Sequence, residues 1–588
     1  MRAVEREYAV TFLPDQKTVR VPEGTLLLEA ERLAEVETDA LCGGHGICGK
    51  CKRMIQTGSG KQEVLACCFS VREDLQVWLP EREKRTRILT EGVRREVRPD
   101  SGISVVPLNV LPICAGEPDS IQERVQQAAE RETGIPAEEI RIVPRLAGSM
   151  YRVLQETNGS CFGILYQNGR QTELLELCSE KPEPYLLAVD IGTTTLAGYL
   201  MKADSGKICA KVSRVNPQTV FGADVITRAD YGLEHGIQEL TQAIREAVRE
   251  LAGDAAKAAG IVPRQIFLAA IAGNTCMHHL FLGISPEALV KAPYSPVVRE
   301  SMELEEQEIS IGIHPQGKIR MLPNLAGFVG ADTSACLLAA EFDRREQVTL
   351  LLDIGTNGEM VLGTRERAFA CSTAAGPAFE GAKISCGMRG AAGAIDHVWL
   401  EDGNIRYSVI GKEKPTGICG SGLLDAAAVF LECGILDSSG VFAGETKGQK
   451  KAYLYRGANE DESICLTQKD ISELQLAKAA IVAGIRILCE KLQIRPEEIE
   501  KVLIAGAFGS YMNPASACRI GLLPGVRPER IEAVGNAAGE GARLAAVSRS
   551  EWKRCCRMAK KIGFVELAAE DEFSDLFVEE LEFPEPFA

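Results

Sequence analysis

No uninterrupted apolar run in this 588-residue chain approaches the length of about 18 residues that suggests a membrane-spanning helix. The opening stretch, MRAVEREYAV, contains no apolar core of the kind that a secretion signal requires. Positive charge is also scarce, since 66 Lys and Arg face 82 Asp and Glu and give a formal net charge of −16. A nucleic-acid surface depends on clustered Lys and Arg. We therefore expect a cytoplasmic protein whose partners include neither a membrane nor a nucleic acid.

Cysteine, in contrast, is plentiful, with 20 residues in the chain. Without a secretion signal, these are expected to be reduced thiols and metal ligands rather than a disulfide framework. The chain is also too long for one hydrophobic core, so roughly two to four domains are expected. Its composition of 45% apolar and 25% charged residues is ordinary for a globular protein.

The stretch LLAVDIGTTTLAGYL predicts a β-hairpin with a polar turn. An apolar strand ends at Asp190, and a carboxylate there can hold a hydrated Mg²⁺ ion, which prefers oxygen ligands. The turn is expected to approach and bind phosphate through a glycine that allows close contact and through hydroxyl donors. These predicted phosphate-binding residues are Gly192, Thr193, Thr194 and Thr195.

The same pattern returns further along the chain as TLLLDIGTNGEMVLG. Asp353 corresponds to the first aspartate, and the matching turn residues are Gly355, Thr356 and Asn357. Two copies of D-I-G-T behind apolar strands indicate an internal duplication, with two lobes closing over a nucleotide. The pattern resembles the acetate kinase, sugar kinase, actin and heat-shock chaperone superfamily (ASKHA), in which the two hairpins grip the phosphates of ATP.

Further motifs in this half suggest other nucleotide contacts. In CSTAAGPAFEG, Glu380 is expected to orient the attacking water, and Ser372 to face either phosphate or a docked partner. The segment PNLAGFVGAD is expected to close the first lobe, with Asp332 near the cleft between the lobes. The Gly-rich turn GICGSGLLD opens a helix whose N–H groups suit adenosine or phosphate. Its predicted ligands are Gly420, Ser421 and Gly422.

The stretch VLIAGAFG resembles the adenosine motif of the superfamily. The residues that carry this resemblance are Gly506, Ala507 and Gly509. Asn536, at the start of the helix that follows VGN, is expected to line the adenine pocket.

Near the N-terminus, three cysteines follow the spacing C-x5-C-x2-C in a glycine-rich stretch, and a fourth lies downstream in VLACC. Three thiolates on such a loop and one from a distant strand are the ligand set of a 2Fe–2S cluster. A zinc site is the alternative, although zinc ribbons usually show two C-x2-C pairs and only one is present. The predicted ligands are Cys42, Cys48, Cys51 and Cys67.

Spacing alone does not decide between Cys67 and Cys68 as the fourth ligand. The stretch resembles a β-grasp ferredoxin over about 80 residues, and this resemblance places the ligand after Leu-Ala, at Cys67. The five-residue first gap resembles that of adrenodoxin-like ferredoxins rather than the plant-type spacing.

These motifs predict an α/β multidomain chain. We expect a 2Fe–2S ferredoxin domain at 1–83, a charged linker at 84–103, a small α/β middle domain at 104–184 and a two-lobed ATPase domain at 185–588. The linker is expected to be a mobile tether or an exposed helix, and the middle domain to be structural or to support a homodimer.

Three local predictions can be compared with the structure. Ser120 is expected to cap a helix over Ser120–Glu132, and YRVLQET to form a strand. The long apolar helix Leu474–Leu492 is expected to span the interface between the lobes.

The order of these segments, with the strings DIGTNGE, CSTAAGPAFEG and GICGSGLLD, resembles the reductive activators of corrinoid proteins over essentially the whole chain. The resemblance implies a one-electron transfer from the 2Fe–2S cluster to a Co(II) corrinoid on a partner protein of a methyltransferase or O-demethylase system. Binding and hydrolysis of ATP with Mg²⁺ would make this uphill step proceed.

The residues alone indicate an electron carrier coupled to an ATPase, without naming the acceptor. Because no flavin or nicotinamide fingerprint is present, a low-potential protein is expected to supply the electron. Two alternatives remain open. One is an activator of the 2-hydroxyacyl-CoA dehydratase type, and the other is a small-molecule kinase with a regulatory cluster.

Overall fold

The computed structural model describes residues 6–14, 16–34, 36, 51–58, 60–79, 94–112, 116–169, 171–443, 450–460 and 462–585. The first unit is a mixed five-stranded sheet with strand order β2-β1-β5-β3-β4, and helix α1 packs against it. This confirms the predicted β-grasp ferredoxin fold. Its elements are β1 (Glu7–Leu13), β2 (Lys17–Pro22), α1 (Leu27–Leu33), β3 (Lys52–Thr57), β4 (Gly60–Leu65) and β5 (Leu75–Trp78).

A second, four-stranded sheet forms a small α/β unit with strand order β6-β8-β9-β7. Ser120 caps α2 as predicted, with a capping box between its hydroxyl and Glu123. The elements are β6 (Ile103–Asn109), α2 (Ile121–Thr133), β7 (Ile140–Ile142), α3 (Pro144–Thr157), β8 (Ser160–Gln167) and β9 (Thr172–Cys178).

The prediction of a strand for YRVLQET was wrong, because these residues lie in α3. Pro144 occupies the first turn of this helix, where its missing N–H costs nothing. Leu146 and Met150, four residues apart, are buried on one face while Tyr151 is exposed. The spacing therefore follows the helical period rather than the alternation of a strand.

The first lobe contains a six-stranded sheet with strand order β12-β11-β10-β13-β15-β14. Its strands are β10 (Tyr185–Ile191), β11 (Thr195–Lys202), β12 (Ile208–Val215), β13 (Ile266–Gly273), β14 (Met302–Glu305) and β15 (Lys318–Met321). The helices are α4 (Val225–His235), α5 (Gln238–Ala259), α6 (Thr275–Leu282), α7 (Glu287–Val290), α8 (Glu306–Ile309) and α9 (Ala331–Ala339).

The second lobe repeats this plan in a sheet with strand order β25-β24-β16-β17-β18-β26. Its strands are β16 (Thr349–Ile354), β17 (Gly358–Gly363), β18 (Ala368–Thr373), β24 (Lys501–Ala505), β25 (Ile531–Gly535) and β26 (Gly563–Phe564). A three-stranded sheet and a hairpin comprise β19 (Ala394–Glu401), β20 (Asn404–Val409), β21 (Gly417–Ile418), β22 (Lys451–Tyr455) and β23 (Ile464–Thr467). The helices are α10 (Gly420–Glu432), α11 (Gln468–Leu492), α12 (Gly506–Tyr511), α13 (Pro514–Arg519), α14 (Ala537–Val547), α15 (Arg549–Lys561) and α16 (Phe573–Glu579).

The two large sheets share a five-stranded core topology, which confirms the duplication, and they differ in the sixth strand, β14 in the first and β26 in the second. In each lobe a three-stranded antiparallel meander begins with the strand that ends in D-I, and that strand also pairs in parallel with a later strand. Helices α9 and α14 lie between the two sheets, while α5 and α6 cover the outer face of the first sheet and α10 and α11 that of the second. The central pair is so close that a Cβ at Gly541 would lie 2.1 Å from the carbonyl oxygen of Ala335.

The expectation that Leu474–Leu492 spans the lobe interface was wrong. This segment belongs to α11, which packs on β17, β18 and α16 at the outer face of the second sheet. Its apolar character comes from burial between the second sheet and the C-terminal segment. Lys478 of α11 donates to the carbonyl of Glu582 in that segment at 2.6 Å. The helices at the interface are the shorter α9 and α14.

Within the described ranges, no helix is both long and apolar enough to cross a membrane.

Candidate functional site

The two D-I-G-T turns project from equivalent strand ends, as predicted. In the first, the Gly192 N–H donates to the carbonyl of Thr195 at 2.9 Å. A Cβ at Gly192 would lie 2.7 Å from that same oxygen, so the tight turn requires glycine. In the second, the Gly355 N–H donates to the carbonyl of Asn357 at 2.9 Å. The turn residues are half-buried, so they remain accessible from the cleft.

Side chains from neighbouring elements hold the first turn in place. Asn216 donates from its side chain to the carbonyl of Gly192 at 2.9 Å and from its backbone to that of Thr194 at 2.8 Å. Asn274 caps α6 and donates to the Thr193 hydroxyl at 3.0 Å, and the buried Arg228 donates to the Thr193 carbonyl. The turn is therefore fixed before any ligand arrives.

Four half-buried carboxyl groups near the strand ends lie within electrostatic range of one another. Burial and the neighbouring charge of Asp332 raise the pKa of Asp353 to about 7, and the same two causes with Asp353 raise the pKa of Asp190 to about 7. Burial raises the pKa of Asp332 to about 6. Burial, with the charges of Asp332 and Asp353, raises the pKa of Glu359 well above its ordinary value. Among the described residues no three of these groups are placed to hold a metal ion by themselves, so a divalent cation here would be shared between one or two carboxylates and the nucleotide phosphates.

Sequence reasoning did not select Glu359, although the hairpin pattern contains the necessary signal. In D-I-G-T-N-G-E the three-residue turn pairs Asp353 with Glu359 directly across the strands, so both side chains share one face. The first hairpin pairs Asp190 with Ala197 because its loop is one residue longer. Asp332, predicted only to lie near the cleft, joins the cluster from the first turn of α9.

Glu380 and Ser372 both lie beside the second hairpin. Glu380 ends the short helix Pro377–Glu380 and accepts a 2.6 Å hydrogen bond from the Thr356 hydroxyl. Ser372 pairs with Glu359 across β17 and β18, which places it on the face that carries the carboxyl cluster. This position favours the phosphate alternative for Ser372 over the docked partner.

The remaining predicted nucleotide residues fall into two groups. Gly506 and Asn536 lie next to the cluster: a Cβ at Gly506 would be 2.7 Å from Asp353 Oδ1, and the Asn536 side chain hydrogen-bonds to Asp190. Ala507 follows in the first turn of α12, and Gly509 packs against Ile504.

The second group is buried inside the second lobe. Gly420 and Gly422 let α10 approach the carbonyls of Phe379 and Ile395, and the Ser421 hydroxyl donates to the carbonyl of Asp396 at 2.8 Å. Packing therefore accounts for these three residues in this structure.

Of the four predicted cluster ligands, Cys42 and Cys48 lie outside the described residues. Cys51 and Cys67 are 1% and 5% exposed, and their sulfur atoms are 3.2 Å apart. Both are free thiols, and two sulfurs on one tetrahedral metal would be separated by roughly 3.8 Å for bonds of about 2.3 Å. The pair therefore fits an iron–sulfur cluster after a small adjustment. Cys68 is exposed, and its sulfur lies 3.6 Å from that of Cys67.

A buried ion pair supports this site. Arg53, in the strand that follows Cys51, donates to Glu31 of α1 at 2.7 Å, and both side chains are at most 1% exposed. Removing one partner of such a pair typically costs about 3–5 kcal/mol, so the pair fixes β3 firmly against α1.

A ferredoxin fold with converging thiols, together with two D-I-G-T hairpins on a duplicated two-lobed fold, defines an actin-like ATPase that carries an iron–sulfur domain. Family models match three ranges: "2Fe-2S iron-sulfur cluster binding domain" over 10–72, "RACo middle region" over 185–345 and "C-terminal domain of RACo the ASKHA domain" over 347–587. The chain belongs to the family of corrinoid activation enzymes, and its cofactor sites are those of an iron–sulfur cluster and a nucleotide.

One curated relative and one solved structure cover nearly the whole chain. It is 32% identical over 587 residues to "Corrinoid activation enzyme RamQ" of Eubacterium limosum, which spans 96% of this chain and 97% of the relative. A "[Co(II) methylated amine-specific corrinoid protein] reductase" of Methanosarcina barkeri is 30% identical over 44% of this chain and 51% of its own length. The solved structure of a "Reductive activator for corrinoid,iron-sulfur protein" superposes with a TM-score of 0.74 at 32% identity, covering 98% of this chain and 99% of the other.

Proposed function

We propose that this chain reduces the Co(II) form of a corrinoid protein to Co(I) at the expense of ATP, for a methyltransferase or O-demethylase system. The observation that carries the proposal is full-length similarity to a corrinoid activation enzyme, in a chain that combines buried thiols with a carboxyl-lined cleft between two phosphate-type hairpins. A 2Fe–2S cluster on Cys42, Cys48, Cys51 and Cys67 supplies one-electron chemistry at its site.

The residues of the cleft bind and orient the nucleotide. The two turns approach the phosphates with donors other than the Gly192 and Gly355 N–H groups, which close the turns themselves. Thr356 holds Glu380 at 2.6 Å for the attacking water. Asn536 joins the two lobes by hydrogen-bonding to Asp190 from the cap of α14. Hydrolysis can therefore change how the lobes meet, and this change accompanies electron transfer to the corrinoid partner.

Mg²⁺ is proposed as the cation of the carboxyl cluster. Hard cations of this kind take oxygen ligands and usually bridge one or two carboxylates to nucleotide phosphates. Because burial and mutual repulsion raise the pKa values of Asp190 and Asp353 to about 7, a bound cation would relieve the repulsion and keep both groups ionised.

Mg²⁺ binding should therefore weaken as the pH falls through 7. Between pH 8 and pH 6, each carboxyl group with a pKa near 7 should lower the apparent affinity by about tenfold, because the proton competes with the metal. In the absence of metal, a fall in pH has a favourable effect on folding stability. Because the carboxyl pKa values are raised in the folded protein, it gains stability as the pH falls from 8 towards 4. Titration calorimetry with MgCl2 at both pH values measures the first effect, and melting curves in EDTA measure the second.

Asp353→Asn is the control for this pH effect, since asparagine has the same shape as aspartate but does not titrate. An Mg²⁺ affinity that is equal at pH 6 and pH 8 in the unaltered protein would contradict the assignment of the cluster as the cation site.

An anaerobic visible spectrum tests the function itself. A Co(II) corrinoid protein is mixed with this chain and a low-potential reductant, with and without ATP, and we expect the Co(I) band only with ATP. Two irons per chain would exclude the dehydratase-activator alternative, which uses a shared 4Fe–4S cluster. Formation of a phosphorylated small molecule without Co(I) would instead support the kinase alternative.

The electron donor is proposed to be a separate low-potential protein. A homodimer is also proposed, with the small α/β unit as a contact, and light scattering of the purified chain measures the oligomeric state.

A further inference from the structure

The end of the charged linker is an extended segment, residues 94–101, which we call the strap. It follows the ferredoxin domain along the chain and precedes β6. No helix forms over these residues, in contrast to the exposed-helix alternative. Asp100 lies alongside Ser548, with its N–H donating to the Val547 carbonyl at 2.9 Å and its own carbonyl accepting from Arg549 at 2.7 Å.

Arg95 of the strap contacts three helices of the ATPase. Its guanidinium donates to the carbonyl of Leu338 in α9 at 2.7 Å and to Glu551 in α15 at 2.6 Å. Its backbone N–H donates to Glu540 in α14 at 2.9 Å, and its carbonyl accepts from Arg543 in α14 at 2.5 Å. Glu540, Arg543 and Glu551 are at most 7% exposed, so these contacts are shielded from water and from screening by salt.

The helices that Arg95 joins are also those that reach the nucleotide cleft. Helix α9 carries Asp332 in its first turn and Leu338 near its end. Helix α14 begins at the Asn536 cap, which bonds to Asp190, and has Glu540 in its first turn. One strap residue thus connects the far end of α9 with the cleft-proximal turn of α14.

Tyr199 links the strap to the cleft by a second route. The charges of Asp190, Glu540 and the strap residue Arg94 all act on its phenol, whose pKa burial raises above its ordinary value. Tyr199 also packs closely against α14, because a Cβ added to Gly539 would lie only 2.8 Å from its hydroxyl oxygen. The strap residue Arg94 and the cleft residue Asp190 therefore both lie within electrostatic range of Tyr199.

We propose that the strap transmits the nucleotide-driven movement of α9 against α14 to the linker that carries the ferredoxin domain, with Arg95 as the positioning residue. Because α9 and α14 lie between the two sheets, a change in lobe closure must shift one helix against the other. The Arg95 contacts cannot all persist through such a shift, so the strap moves with it or is released. This inference rests on the proposed nucleotide site.

Hydrogen exchange measured by mass spectrometry tests the coupling on the full chain with its cluster. Peptides that cover the strap, residues 94–101, are compared with and without a non-hydrolysable ATP analogue and Mg²⁺. We expect a nucleotide-dependent change in exchange over this stretch in the unaltered protein. Arg95→Ala should reduce the change at least fivefold, and Arg95→Lys should give an intermediate response because it keeps the charge but not the fork of donors.

Arg554→Ala is the matched control. Arg554 donates to Asp343 at 2.8 Å and to Glu551 at 3.2 Å, and Glu551 is the carboxylate that Arg95 also contacts. Among the described residues Arg554 forms no ion pair with the strap, so this variant separates the loss of a cation beside Glu551 from the loss of the strap contact. We expect this variant to keep the nucleotide response of the strap. Melting temperatures of all three variants verify that they are folded.

In the corrinoid assay, Arg95→Ala should still hydrolyse ATP while consuming at least threefold more ATP per Co(I) formed. A nucleotide response of the strap that survives Arg95→Ala, or one that Arg554→Ala abolishes equally, would overturn the inference. If the nucleotide binds but the strap shows no change in exchange, only this inference is overturned. If no nucleotide binds, the proposed function is overturned as well.

Discussion

Asp353→Ala should reduce ATP hydrolysis by at least about a hundredfold while leaving the visible spectrum of the iron–sulfur cluster intact. Asp353 lies near the end of β16, opposite Glu359. Its Oδ1 is so close to the start of α12 that a Cβ added to Gly506 would be only 2.7 Å away. Stabilisation by a correctly placed cation is worth several kcal/mol in a transition state, and each 1.36 kcal/mol corresponds to about tenfold in rate. Steady-state phosphate release at saturating Mg²⁺ measures the effect.

Asp353→Asn separates the charge from the shape of the side chain. We expect nearly the same loss, because asparagine fills the space but does not neutralise the cation. Asp402→Ala is the matched control: this aspartate lies in the exposed turn between β19 and β20, away from the cleft. Hydrolysis that survives in the asparagine variant would show that the charge of Asp353 is not what the reaction requires.

Cys51→Ala should have the converse effect. Cys51 is buried and its sulfur faces that of Cys67 at 3.2 Å, so its removal takes away one of the four thiolates that we propose as cluster ligands. Iron per chain should fall from two to nearly none, with loss of the visible bands. ATP hydrolysis should stay within about twofold of the unaltered rate, since the cysteine belongs to a separate hydrophobic core. Iron analysis and phosphate release measure both functions in one preparation.

Adjacent cysteines provide a matched pair for the fourth ligand. Cys67→Ser should lose the cluster, because its buried thiol faces Cys51, whereas Cys68→Ser should keep it, because that thiol is exposed. The reverse result would assign the ligand to Cys68. If Cys51→Ala also removed ATP binding, the separation of the two functions into independent units would be wrong.

Features that depend on neighbours along the chain could be predicted from the sequence. The D-I-G-T turns and the Ser120 helix cap need contacts only a few residues apart, and their side-chain pattern specifies them. The repeat of D-I-G-T also determined the duplicated topology, since two similar strand–turn–strand segments form the same meander twice. Prediction failed for YRVLQET because a short segment of mixed polarity fits both the helical period and the alternation of a strand. The packing of Leu146 and Met150, which precede it in α3, selected the helix.

Only the tertiary structure decided which distant residues meet. Asp190, Asp332 and Asp353 come from three separate elements, and their shared electrostatic site depends on how the two sheets face each other. Helix α11 could not be placed because burial on the outer face and burial between lobes give the same apolar composition. Arg95 and Glu540 are separated by 445 positions in the chain. Such contacts leave no periodic signal in the sequence, because they depend on the packing of complete layers rather than on the conformation of either segment.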